Sequence, residues 1–324
     1  MTKYIARRLL QLLPVMLFVV VTNFILIQLA PGDAIDVIAG QRNVGDIQYL
    51  EALRREYGLD QPVYVQLWLY VVNVLKLDLG YSIPFSRPVL DLILERLFPT
   101  ILLVMTALTL SVIVGLFFGT VAARFLNSII DNLVTVAALI GYATPIFWIG
   151  LMLIVLFSVN LGLLPSSGMF TPGARLTGFD HVIDVLRHLV LPAVTLSTFY
   201  TAIYTRLVRA SVLEVDRKDF VRTARAKGLP QRRVVFRHVV PNAILPLVTM
   251  VGVQMGSILG GAVLVESVFS WPGMGRLAFE AITQRDLNLL LGILLFSSVL
   301  VVVMNLVVDL LYAVLDPRIE SVGR

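Results

Sequence analysis

Apolar residues in this chain come in long unbroken runs, without the period-two alternation of a half-buried strand or the polar stripe of a surface helix. Residues 9–30, 100–123, 133–161 and 243–265 contain no charged side chain, 189–205 is a shorter uncharged run rich in hydroxyl groups, and 288–315 contains a single charge, Asp309. A helix crosses a bilayer with about 20 apolar residues, roughly 17–25. The pattern therefore predicts an all-α integral membrane protein with six transmembrane helices. Between the runs it leaves a polar segment at 31–99, a basic segment at 206–242, shorter connections at 162–188 and 266–287, and chain ends at 1–8 and 316–324.

Composition agrees. Hydrophobic residues make up 58% and charged residues 15%, with a mean hydropathy of +0.88, whereas a soluble domain lies nearer 45–50% apolar and about 25% charged. With no cysteine, disulfides, thiolate metal sites and cysteine nucleophiles are excluded, and three histidines are too few for a rich metal site. The histidines are expected at the surface. The net charge of +5 matters through its sidedness. With a cytoplasmic N-terminus, the inside segments carry sixteen Lys and Arg against four in the short outer loops. The long 31–99 segment escapes the positive-inside rule. Both termini are thus expected in the cytoplasm. The first run is longer than the 7–15 residues of a signal-peptide core and no small-residue cleavage site follows, so it reads as a retained helix.

Within 31–99, Ile47, Leu50, Leu53 and Tyr57 recur at helical spacing with Gly58 as the stop. Pro62 can open a second helix at its first position, and 63–75, with Tyr64, Trp68 and Tyr70, reads as an interfacial helix too short to span. Pro145 is expected to kink the third transmembrane helix. Gly252, Gly256 and Gly260 form a stripe with Gly261 beside it, and Gly115 with Gly119 repeats the spacing. Such stripes admit a neighbouring backbone, and the same clearance could serve a solute. Gln254 and Ser257 are expected toward the bundle interior, because lipid offers them no hydrogen bonds. Asp309 is either a functional intramembrane acid or a structural partner of Asn305 one turn earlier.

The basic segment 206–242 holds ten Lys and Arg and three acids, and it is far longer than an ordinary connector. Asp216 is expected to N-cap a helix, with Asp219 three residues on as in a capping box. Phe220, Ala224 and Lys227 are expected on one face, Gly228 as a left-handed cap, and Pro230 as the start of a second helix through Arg232, Arg233 and Phe236. The small residues Ala224, Ala226 and Gly228 would admit a partner surface. The competing reading is an anchor on anionic lipid.

Asp219-Phe-Val-Arg-Thr-Ala-Arg-Ala-Lys-Gly228, with Pro241 thirteen residues after the glycine, resembles the EAA loop of binding-protein-dependent ABC importer permeases. Ala224, Gly228 and Pro241 match that pattern. Arg222 and Thr223 replace its Glu and first Ala, and His238 and Val240 replace its Ile and Leu. The R-T-A-R-A-K-G form is similar to that of the dipeptide, oligopeptide and nickel class. Tyr4-Ile-Ala-Arg-Arg-Leu-Leu, Ala30-Pro-Gly-Asp33, Tyr57-Gly-Leu-Asp-Gln-Pro62, Asp78-Leu-Gly-Tyr-Ser82, Phe269-Ser-Trp-Pro-Gly-Met-Gly275 and Asp316-Pro-Arg-Ile319 follow in the order of its B-type subunit.

The resemblance implies a permease in a bacterial inner membrane and a heterodimer with a second permease subunit. It further implies two ATPase subunits beneath, an extracytoplasmic substrate-binding protein, surrounding membrane lipid and no nucleic acid. It makes Asp219, Phe220, Arg222, Thr223, Ala224, Arg225, Ala226, Lys227, Gly228 and Pro241 the ATPase-coupling residues. Pro145, Gly252, Gln254, Gly256, Ser257, Gly260 and Asp309 remain candidates for the pathway or for helix packing. No cofactor is expected in this chain, with ATP and Mg on the partner ATPases: no lysine follows a glycine, so the G-x-x-x-x-G-K-[ST] phosphate loop is absent. Neither H-E-x-x-H nor G-x-S-x-G occurs, and the chain is not expected to be an enzyme. A secondary carrier or a channel subunit without ATPases is the alternative, and Asp309 is the only acid well inside a span for ion coupling.

Overall fold

The computed structural model describes residues 2–29 and 60–315, and these are predominantly helical. In chain order the elements are α1 (Thr2–Leu29), α2 (Val63–Leu75), a hairpin of β1 (Tyr81–Ser82) and β2 (Arg87–Pro88), α3 (Val89–Arg124), α4 (Ile129–Ala143) and α5 (Ile146–Leu153), which widens into a π-helical turn at Ile154–Asn160. Then come α6 (Phe179–Asp216), α7 (Asp219–Ala226), α8 (Gln231–Val234), α9 (Leu245–Val268), α10 (Met274–Thr283) and α11 (Leu287–Leu315). Two helical segments join α8 to α9, a π turn at Val235–Val239 and a single turn at Val240–Ala243. The predicted helix at 47–57 lies outside the described residues.

Among the described residues, four helical runs are long and apolar enough to cross a membrane: α3, α6, Gln231–Gln254 and Leu287–Leu306. The pair α4 and α5 makes a fifth if it is one span. That pair departs from the expected kink. Thr144 and Pro145 both have extended backbone angles, and the helices on either side diverge by 106°. Pro145 disfavours helical geometry at Thr144, so the helix stops and restarts with Pro145 as the N-cap of α5. Two other expectations need lengthening. The run at 100–123 is the second part of a 36-residue helix, and the run at 189–205 is the middle of a 38-residue one. At 1.5 Å per residue, α6 is about 57 Å long, well over the roughly 30 Å of hydrocarbon. Its last turns, residues 206–216, were read as loop but continue the helix. Pro62 caps α2 instead of opening it, and His188 is buried on α6, with its Nδ1 2.8 Å from the Asp184 carbonyl.

The chain divides into two compact units. One comprises residues 1–96 and 278–302, the other 97–277 and 303–324. In the first, α1 meets α2 through the Phe24 and Tyr70 rings, 5.9 Å apart, and through Gln28 donating to Gln66 at 2.7 Å. Asn23 donates to the Leu291 carbonyl at 3.1 Å. Ser82, on β1, donates to the carboxylate of Asp286, whose other oxygen caps α11 by accepting from Leu289 N–H at 3.0 Å.

The second unit is built around α6, whose buried face includes Leu196, Tyr200, Tyr204, Val208 and Val212. The Gly115/Gly119 pair is where α3 comes closest to it. A Cβ on Gly115 would fall 2.7 Å from Tyr204 Cβ, and one on Gly119 2.7 Å from the Thr205 carbonyl oxygen. This pair is a packing contact within the chain.

A buried ion pair ties α4 to α6. Ser128 caps α4, and Asp131, in its first turn, accepts from Asn127 N–H at 3.0 Å and from Arg209 Nε and Nη2 at 2.6 and 2.8 Å. Arg209 is 30% exposed and Asp131 only 3%, so Arg209→Ala strands a carboxylate that water barely reaches. Breaking such a pair costs about 3–5 kcal/mol when both partners are buried. The exposure of Arg209 brings the expected loss to about 2 kcal/mol, with Arg209→Lys intermediate because it forfeits the two-pronged geometry. Thermal unfolding of the purified chain in detergent checks this.

Candidate coupling element and pathway face

The segment after α6 is helix, left-handed turn, helix. Its first helix, α7, starts after Lys218, which makes no side-chain cap, so Asp216 is not the N-cap that the sequence suggests. Asp216 instead ends α6 and accepts from Arg225 Nη2 at 2.5 Å. Arg225 Nε also reaches Gln231 Oε1 at 3.3 Å, so one guanidinium links the end of α6, α7 and the start of α8.

At the other end Gly228 has φ +73°, as the sequence predicts. Its N–H donates to the Arg225 carbonyl at 2.9 Å, and Leu229 N–H donates to the Ala224 carbonyl at 3.4 Å. These are the paired bonds of a Schellman cap, and Leu229 packs into the same core as Ala224, as that motif favours.

Burial sorts the faces of α7 differently from the expectation. Val221 and Ala224 face the core, packed in one cluster with Val234 and Val239, while Phe220 is 46% exposed and Lys227 is exposed. The sequence reading put Phe220, Ala224 and Lys227 on a single face; the anchor is the i, i+3 pair Val221/Ala224. Ala224 is therefore spent on the chain's own core, and the surface left outward is Phe220, Arg222, Thr223, Ala226 and Lys227. The acids beside it pair locally: Lys218 with Glu214 at 3.1 Å and Arg222 with Asp219 at 3.9 Å. Exposed pairs of this kind add little stability, so the apolar anchor and the cap hold α7 in place.

Pro241 lies beyond α8. Within a regular α-helix its ring would press on the carbonyl four residues back, that of Arg237. The π turn at Val235–Val239 widens the helix just before it, and Pro241 then falls in the first turn of Val240–Ala243.

On α9 the second group of candidates separates by face. Leu247, Ile258, Ala262 and Val265 are buried, whereas Thr249, Val253, Ser257, Gly260 and Leu264 form an exposed stripe at helical spacing. Ser257 lies on this face, exposed in the single chain, and its hydroxyl donates to the Gln254 carbonyl at 2.9 Å. Gln254 is half-buried, with its Oε1 enclosed and without a hydrogen-bond partner among the described residues. A Cβ on Gly260 would meet nothing within 4 Å, so no backbone among the described residues packs there; a Cβ on Gly261 beside it would meet Leu196 Cδ1 at 3.4 Å. Gly252 and Gly256 are half-buried. Asp309 falls on α11, and its side chain lies outside the described residues.

One buried constellation escaped the sequence reading. Glu266, on the last turns of α9, is fully buried and accepts from Thr100 Oγ1 at 2.7 Å and from Arg276 N–H at 3.0 Å. Thr100 Oγ1 in turn accepts from Met274 N–H at 2.8 Å, and Trp271 Nε1 donates to the Pro99 carbonyl at 2.9 Å. Gly273 leaves room for the carboxylate, because a Cβ there would fall on it. The signal was present as an acid directly abutting the apolar run 243–265 and preceding Trp-Pro-Gly-Met-Gly.

Long apolar helices and a capped helical loop between two of them are the features of a membrane-embedded subunit. Residues 115–321 match the family described as "Binding-protein-dependent transport system inner membrane component", and residues 1–106 match its N-terminal companion, "Binding-prot-dependent transport system membrane comp, N-term". The chain belongs to this family of inner membrane components, and it is a permease subunit of an ABC importer. It is 42% identical to the di/tripeptide transport system permease protein DppB of Pseudomonas aeruginosa, covering 99% of each chain. Identity is 40% to the glutathione transport system permease protein GsiC of Escherichia coli K12, covering 99% of each chain. It is 39% to the oligopeptide transport system permease protein AppB of Bacillus subtilis, covering 99% of this chain and 100% of the relative. Among solved structures, the MetNI methionine ABC transporter in an inward-facing conformation has a chain that aligns with a TM-score of 0.57 at 16% identity, covering 72% of this chain and 99% of that one, a likeness of fold. Membership of a binding-protein-dependent family implies a substrate-binding protein and ATPase subunits as partners.

Proposed function

We propose that this chain is one half of a heterodimeric permease with six membrane spans and both termini in the cytoplasm. In this reading α7 docks on an ATPase subunit and transmits its closure to the helices. The observation that carries it is the rigid presentation of α7: Gly228 caps it, Arg225 ties it to its neighbours, Val221 and Ala224 anchor it, and Phe220, Arg222, Thr223, Ala226 and Lys227 are left facing out. The length of α6 supports the same reading, since a helix of about 57 Å carries its end clear of the hydrocarbon.

The exposed stripe of α9, with Ser257 and Gly260 at its centre and Gln254 at its edge, is proposed as part of the pathway wall. Its hydroxyls are satisfied within the helix and can still bond a passing polar solute. The relatives named for di- and tripeptides, oligopeptides and glutathione support peptides and related small solutes as the cargo. ATP and Mg belong to the ATPase partners.

The test is recovery of the tagged chain from its native membrane in mild detergent, with partners identified by mass spectrometry. A second permease and one or two ATPases are expected. Recovery of the chain alone, still active in uptake, would overturn the reading in favour of a secondary carrier and make Asp309 the first residue to change. The extracytoplasmic segments around α2 and the α9–α10 connection are proposed to meet the binding protein, since Tyr64 is 74% and Trp68 67% exposed. Deleting residues 64–70 is expected to leave the ATPases bound and to abolish docking of the binding protein. Undiminished docking would remove α2 from that interface.

A further inference from the structure

The basic residues after Gly228 differ from those of α7 in having no acids. Arg232, Arg233 and Arg237 are exposed, and none of the three side chains has a hydrogen-bond or ion-pair partner among the described residues. By contrast Lys218, Arg222 and Arg225 each face a carboxylate of the chain. Arg232, Arg233 and Arg237 put three like charges within six residues of chain, where they repel one another. An anion between them relieves that repulsion.

These arginines line a shallow, open surface depression together with Pro230, Phe236 and Pro241. Phe236 is 60% exposed, an aromatic ring set among guanidinium groups and beside Pro230 and Pro241. The depression sits just before the apolar run that begins at residue 243. Arg237 precedes that run by six residues, about 9 Å of helix, and the headgroup layer on one side of a bilayer is roughly 5–8 Å thick. A ring facing the acyl boundary with guanidinium groups at headgroup depth is the arrangement by which side chains anchor at a membrane surface.

We propose that this depression binds the phosphate headgroup of an anionic phospholipid, with Arg232, Arg233 and Arg237 on the phosphate and Phe236 against the acyl chains. Its lining contains no residue of α7. It rests on the reading that the 206–242 segment is cytoplasmic and leads into a membrane span. Its ligand is a membrane lipid, since the depression adjoins the apolar run and presents an exposed ring that a free phosphate does not need.

The test uses the complete transporter, purified with its ATPases and incorporated into phosphatidylcholine bilayers or into bilayers of equal parts phosphatidylcholine and phosphatidylglycerol. Bound phosphatidylglycerol is read by native mass spectrometry and by titration with a fluorescent phosphatidylglycerol, with inorganic phosphate as competitor. The wild type is expected to retain phosphatidylglycerol over phosphatidylcholine. The triple variant R232Q/R233Q/R237Q is expected to bind it on the order of a hundredfold more weakly, since each basic residue near a membrane surface contributes roughly fivefold. R232K/R233K/R237K keeps the charge and should restore most of the binding, which separates a lost site from a misfolded chain.

Unchanged phosphatidylglycerol retention in the triple Gln variant would overturn the proposal. So would loss of ATPase subunits from that variant with lipid still bound, because the depression would then be a protein interface. Displacement by inorganic phosphate at equal concentration would assign the site to a soluble anion and also overturn it. A wild-type chain that binds phosphatidylglycerol but recovers no ATPase would sink the coupling reading and leave the lipid site standing.

Discussion

Replacing Gly228 by Val is expected to abolish coupled uptake while leaving a chain that still inserts in the membrane. Nothing lies within 4 Å of a Cβ built at Gly228, so the effect does not come from a clash with a neighbour. It comes from the backbone, which sits at φ +73°. The left-handed conformation costs an L-residue about 1–2 kcal/mol, more when the side chain is β-branched. At about 2 kcal/mol the ratio of correctly capped to uncapped chains falls roughly thirtyfold. With the cap go the two bonds from Gly228 and Leu229, and α7 loses the fixed angle at which it presents Phe220 and Lys227. Gly228→Asn is the informative control, because asparagine tolerates this region while being larger than alanine. Uptake in membrane vesicles should be near wild type for Asn, reduced for Ala and absent for Val, with equal amounts of inserted chain. Full uptake by the Val variant would end the assignment of α7 as the coupling helix.

Replacing Glu266 by Ala is expected to destabilise the chain by about 3–5 kcal/mol, a large part of the 5–15 kcal/mol that holds a typical domain together. The carboxylate is fully buried and accepts from Thr100 and Arg276. Its removal leaves those donors unsatisfied and opens a cavity at the α9–α10 turn. Glu266→Gln keeps the shape and an acceptor for Thr100, so a loss nearer 1–2 kcal/mol is expected. Gly273→Ala should mimic the Ala variant from the opposite side, because the added methyl group falls where the carboxylate lies. The measurements are the amount of chain recovered from the membrane and the midpoint of thermal unfolding in detergent, ordered wild type, Gln, then Ala. An Ala variant as stable as wild type would mean that the buried carboxylate contributes nothing to holding the turn.

Much of the architecture was legible along the chain because local rules govern it. The helix at 63–75 and the left-handed turn at Gly228 each depend on a few neighbouring residues, and both are present; of the six apolar runs, four or five correspond to helical spans among the described residues. The misreadings share a different cause. Asp216 looked like an N-cap because acids before a short helix usually are, yet α6 runs on to Asp216 and Arg225 claims its carboxylate. Periodicity identified a face of α7 but could not choose it, because Val221 and Ala224 are selected by a core that includes Val234 and Val239.

By itself, then, the sequence determined that the chain is a helical membrane protein, which segment carries the positive charge and where that segment turns. Those conclusions need only hydropathy, charge and one glycine. The tertiary structure alone decided the 106° break at Thr144 and Pro145, the outward surface of α7, and the partners of the buried charges. Thr100 and Glu266 lie 166 residues apart, and Asp131 and Arg209 lie 78 apart. A buried carboxylate is stable only where donors converge on it from distant parts of the chain, and that convergence is a property of the packed helices.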